Sequence, residues 1–134
     1  MTMPHVIDAT TAVQFIMFFS CILLGISHLV QPKMWEDYFT ELHARGEVAI
    51  VTRTFTLELW PALIIVTLHQ VWQGPAIVLT IYGWLLLAKC TISILAPKVG
   101  MKSLKQAQQG DKGFIFAGLM LIVVGICAGW ALYT

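Results

Sequence analysis

VAIVTRTFTLELWPALIIVTLH, residues 48–69, is the stretch whose reading decides the fold. It is close to the ~20 predominantly apolar residues that an α-helix needs to cross the ~30 Å hydrocarbon layer of a bilayer. A transmembrane strand would alternate apolar and polar residues over about ten positions, and this run is continuous. Near its middle stands Glu58. One ionisable side chain at a bilayer centre costs from about 2.5 kcal/mol on insertion scales to on the order of 10 or more in simulation, so something in the fold must offset it.

Working outward, three further apolar runs appear: Ala12 to Val30, Pro75 to Ala96 and Gly113 to Tyr133, with Lys89 inside the second of these. Together they predict a single integral membrane domain over residues 1–134, an all-α four-helix transmembrane bundle. Only Gln70 to Gly74 separates the second span from the third, which forces an antiparallel hairpin. Composition agrees. Hydrophobic residues make up 58% and charged residues 11%, against roughly 25% charged in an ordinary soluble domain, and mean hydropathy is +0.81. A net charge of +1 gives no basic footprint, so no nucleic-acid partner is expected. Cys21, Cys90 and Cys127 lie singly in apolar runs, without metal-site spacing, and read as packing residues. Met1 to Thr11 lacks the basic region of a cleavable signal, so the first run is expected to stay in the mature chain.

The loops suggest an orientation. Lys33 and Arg45 lie between the first two spans, and Lys98, Lys102, Lys105 and Lys112 between the last two. The positive-inside rule then makes both of these loops cytoplasmic and puts both termini outside. Between Lys33 and Arg45, Met34, Trp35, Tyr38, Phe39 and Leu42 share one arc of a helical wheel, and Glu36, Asp37, Thr40, Glu41 and His43 the other. Pro32 suits a first helical turn and Gly46 a helix end. This predicts a short amphipathic helix in the membrane interface, acting as an anchor or, alternatively, as a lid.

Helical phase sorts the polar residues within the spans. Gln14, Cys21, Gly25 and His28 fall on one face of the first span. In the second, Thr54 and Glu58 share a face with Pro61, whose missing N–H leaves the Leu57 carbonyl without its helical donor. Tyr82, Lys89 and Ser93 line up on the third. Gly118, Gly125 and Gly129 make a smooth strip on the fourth, a candidate contact for another copy or a partner protein. With a rise of about 1.5 Å per residue, Glu58 and Lys89 differ by only ~5 Å in depth, so an ion pair is expected between them. His28, Arg53, Glu58, Tyr82 and Lys89 are therefore predicted to bound a polar pocket toward the cytoplasmic side. Plainer readings stand beside this one. Glu58 with Lys89 serves equally as a staple between helices, Arg53 as a snorkelling residue, and His28 as a hydrogen-bonded interfacial residue. His69 falls at the far end from His28, so paired axial haem ligation is not expected. Trp60, Trp72, Trp84 and Trp130 read as core or belt residues.

The segment GISHLVQP closing the first span, the aromatic stretch after it, TLELWPALIIV in the second span and YGWLLLAKCTISILAP in the third resemble the DoxX-like family of small four-helix membrane proteins. In that family a lysine-like position precedes the proline at the end of helix one and a glutamate sits in helix two. Here His28 stands in place of the lysine, and Glu58 matches the glutamate. The resemblance implies a bacterial inner-membrane protein associated with a redox assembly such as a thiosulfate:quinone oxidoreductase. Three functions then stay open. One is an accessory or binding subunit holding a quinone- or lipid-like ligand at Glu58, Lys89 and His28, with catalysis left to a partner because no cofactor motif is present. The second is an oligomeric transporter or channel that loads a proton or ion on Glu58. The third is a structural or assembly protein.

Overall fold

The computed structural model describes residues 8–99, 102 and 111–133. Among the described residues the long helices are α1 (Ala9–Val30), α2 (Pro32–Ala44), α3 (Glu47–Leu68), α4 (Ala76–Leu95) and α5 (Asp111–Ala131). All except α2 are long and apolar enough to cross a membrane. The protein is thus an all-α four-helix bundle of an integral membrane protein, with no strand among the described residues.

Local chemistry sets the ends. α1 begins three residues before the expected Ala12, because the Asp8 carboxylate accepts a 2.7 Å hydrogen bond from the Thr11 N–H and caps the helix. The same bond holds the Asp8 pKa below its ordinary value of 3.8. α2 starts on Pro32, where the missing N–H would in any case lack a helical partner. Gly46 then breaks the chain with φ 90°, and Gly74 turns it between α3 and α4 with φ 64°, both in the left-handed region that glycine enters without steric penalty.

α3 and α4 form the expected hairpin, while α1 packs most extensively against α5. The core proper gathers Val13, Met17, Cys21, Ile65, Leu79, Val124 and Ala128. By position along their helices six of the seven lie in the half of the bundle next to the Gln70–Gly74 turn, and Cys21 sits just past the middle of α1. The cluster of Arg53, Glu58 and Lys89 lies toward the other end, which α2 closes off. Large apolar residues such as Phe15, Phe19, Leu23, Leu85 and Phe116 are exposed, as are Trp60, Trp72, Trp84 and Trp130, which is the arrangement a bilayer solvent favours and water does not.

The glycine strip of α5 faces α1. A Cβ on Gly118 would lie 2.8 Å from the Gly25 carbonyl oxygen, one on Gly125 2.8 Å from Ile22, and one on Gly129 2.5 Å from Phe18. These glycines let α5 approach α1 within the same chain. The strip is thus taken up by contact with α1 inside the bundle.

Candidate functional site

Glu58 owes its surroundings to a change of helical register. Pro61 cannot donate a backbone hydrogen bond, and over Thr54–Leu59, just before it, α3 widens into a π-helix. In an α-helix, residues five apart point about 140° away from each other at 3.6 residues per turn. Where backbone bonds join i to i+5, those same residues stack. Arg53 and Glu58 are such a pair, and Arg53 Nη2 donates to Glu58 Oε1 at 3.0 Å. Lys89, from α4, reaches the same oxygen at 3.1 Å.

Two cations therefore face one carboxylate, a cluster of net charge +1. The Arg53 and Glu58 side chains are 17% and 14% exposed, whereas Lys89 is 59% exposed. Lys89 thus comes in from the outer face of α4 and is not sheltered inside the bundle. Its four-carbon stem permits this. The cluster is also incompletely satisfied: among the described residues Glu58 Oε2 and Arg53 Nε are buried without a hydrogen-bond partner. Arg53 does not snorkel outward; its guanidinium lies 4.6 Å from the centre of the Phe39 ring, so α2 covers the cluster with an aromatic face.

His28 sits elsewhere. Its Nδ1 carries the hydrogen, because the partner at 2.8 Å is the Leu24 carbonyl oxygen, which can only accept. The ring stacks on Trp35 with centroids 4.4 Å apart and planes 10° apart, and Trp35 Nε1 donates to Ser27 Oγ at 3.0 Å. Phe114 of α5 stacks on Phe39 at 5.4 Å. Aromatic rings thus stand between His28 and Arg53, and they pin α2 to α1 and α5. Tyr82 packs on the core and donates no hydrogen bond to Arg53, Glu58 or Lys89. Of the five residues expected to bound one pocket, the structure joins three directly, links His28 to them only through stacked rings, and leaves Tyr82 in the apolar packing. The groove between α2 and α3 includes Arg53 alone of the five.

A second buried polar cluster, at the opposite end, was not foreseen. His69 and Thr80 are fully buried and Gln14 nearly so. The Thr80 hydroxyl donates to the Val71 carbonyl at 2.7 Å, which uses its one hydrogen. His69 Nδ1, 3.0 Å from that hydroxyl, must then be the donor. Nε2 is left to accept from Gln14 Nε2 at 3.1 Å, and every nitrogen of the ring is used. Gln14 lies in the second turn of α1, His69 just follows α3 and Thr80 lies one turn into α4, so all three belong to the turn end of the bundle. Among the described residues no three His, Cys, Asp or Glu side chains gather to hold a metal ion. His28 and His69 stand at opposite ends of the bundle.

No family model, curated protein or solved structure matches the chain.

Proposed function

We propose that the protein is a small membrane subunit that binds a quinone- or lipid-like amphiphile, with its polar head on Glu58 and Lys89, in support of a membrane redox partner. The observation that carries this is the unpartnered buried oxygen Glu58 Oε2, beside a lysine that opens toward the bilayer. A charged group at this depth is expensive and marks functional sites in membrane proteins, and π-bulges recur at such sites. The likeness of GISHLVQP and TLELWPALIIV to DoxX-like sequences gives the redox association and the bacterial inner membrane. The two lysine- and arginine-bearing loops support a reading with the α2 end in the cytoplasm and both termini in the periplasm. His28 belongs to the wall that holds α2 over the site. The transport reading relied on copies meeting through the α5 glycines, and those are occupied by α1.

Organic extraction of the purified full chain, followed by mass spectrometry, tests the proposal, with a short-chain quinone titrated into the extracted protein. One bound amphiphile is expected, lost on Glu58→Gln while the helical signal is kept. The same molecule retained at the same occupancy by Glu58→Gln removes the proposal. Proton-dependent flux in liposomes that this substitution abolishes would favour the transporter.

A further inference from the structure

Between α2 and the first half of α3 runs a groove of about 440 Å³. Among the described residues, two arginines, Arg45 and Arg53, line it and no acidic residue does. Its remaining wall is largely apolar, through Leu42, Val48 and Leu57, with Tyr38 on the α2 side. Neither arginine is neutralised firmly. Arg45 meets Glu41 at 2.7 Å one turn away, in a pair whose side chains are 69% and 66% exposed, and exposed pairs of this kind hold their partners weakly. Arg53 shares the single Glu58 oxygen with Lys89, so positive charge remains in excess, and its Nε is buried without a partner. The groove thus offers excess cationic charge at the level of the amphipathic helix and an apolar wall running along the span.

We infer that this groove holds one anionic phospholipid of the surrounding bilayer, its phosphate between Arg45 and Arg53 and an acyl chain along Leu42, Val48 and Leu57. Guanidinium groups match phosphate oxygens in a fork geometry. A zwitterionic headgroup brings its own cation toward two arginines, which opposes binding. The site is distinct from the one proposed for the amphiphile on Glu58, although Arg53 borders both. Glu58 competes with the phosphate for Arg53, so the two sites respond oppositely to its removal.

Native mass spectrometry of the delipidated full chain tests this, with phosphatidylglycerol and phosphatidylcholine of identical acyl chains titrated in parallel. One phosphatidylglycerol is expected to bind at least about fivefold more tightly than phosphatidylcholine, the factor that one arginine near an anionic headgroup supplies. Arg45→Gln, at an exposed position that the fold does not need, should remove about that factor. Glu58→Gln should strengthen phosphatidylglycerol binding even as it releases the Glu58 amphiphile. Equal binding of the two lipids overturns the inference, as does an Arg45→Gln variant with unchanged selectivity. So does inorganic phosphate displacing phosphatidylglycerol at matched concentration, which would mark a site for a free anion. A lipid-free dimer that excludes phosphatidylglycerol would instead assign the groove to a second copy. Lost lipid selectivity with the Glu58-dependent amphiphile still bound sinks this site alone, and the reverse pattern sinks the functional reading alone.

Discussion

The two ends of the bundle each bury polar side chains, yet they do so on opposite terms. At the turn end, Gln14, His69 and Thr80 form a neutral network in which the hydroxyl hydrogen goes to Val71 and both ring nitrogens are used. At the α2 end, Arg53, Glu58 and Lys89 form a charged cluster with a net positive charge and two buried atoms left bare. A satisfied network rigidifies and specifies a core, whereas a partly satisfied one is destabilising unless something else completes it. The tight apolar core surrounds the satisfied end. The contrast is the reason the proposed site is put at the α2 end.

The sharpest way to break that comparison is to remove the anion. Glu58→Leu leaves Arg53 facing Lys89 with no carboxylate between them, and should lower stability by about 3–5 kcal/mol, as does breaking other buried ion pairs. Adding Arg53→Met and Lys89→Met to the same chain should return stability to that of the parent or above it, because an apolar replacement of a whole buried cluster is often neutral or stabilising. Reversible unfolding in mixed micelles reads both. A Glu58→Leu loss below about 1 kcal/mol would show the charged end to be as tolerant as surface.

A smaller effect is expected at the satisfied end. Thr80→Val keeps the shape but deletes the donor to Val71 and the acceptor for His69, which should cost about 1–3 kcal/mol. Bound amphiphile should be unaffected, and a change in its occupancy would mean that the two ends are coupled. Smallest of all is Lys89→Met. Its side chain is 59% exposed, so the pair with Glu58 is worth under about 1 kcal/mol to the fold. A larger loss, read by the same unfolding measurement, would move Lys89 from the site's open side into its structural frame.

Much of this organisation is legible in the chain. Four apolar runs, the short Gln70–Gly74 turn and the amphipathic stretch after Pro32 specify the helices and the hairpin. Depth counting brought Glu58 to Lys89, and the face of Gln14, Cys21, Gly25 and His28 is indeed buried. Other features could not be read. Pro61 signals a disturbed backbone without saying whether the helix kinks, breaks or widens, so the Arg53 to Glu58 pairing stayed hidden. The glycines of α5 announce a close approach but not by which helix. Gln14 and His69 both stand out among apolar neighbours, yet nothing in one dimension says that they touch.

The chain alone determined how many helices there are, where they end and at what depth the charges lie, because length, capping and hydropathy act locally along the backbone. Which helix lies beside which, how far each is rotated and where the π register falls were decided only by the packed bundle. Spans that are apolar on nearly every side leave rotation to close contacts such as Gly25 on Gly118 and Phe39 over Arg53, and those contacts exist only once all the helices are in place.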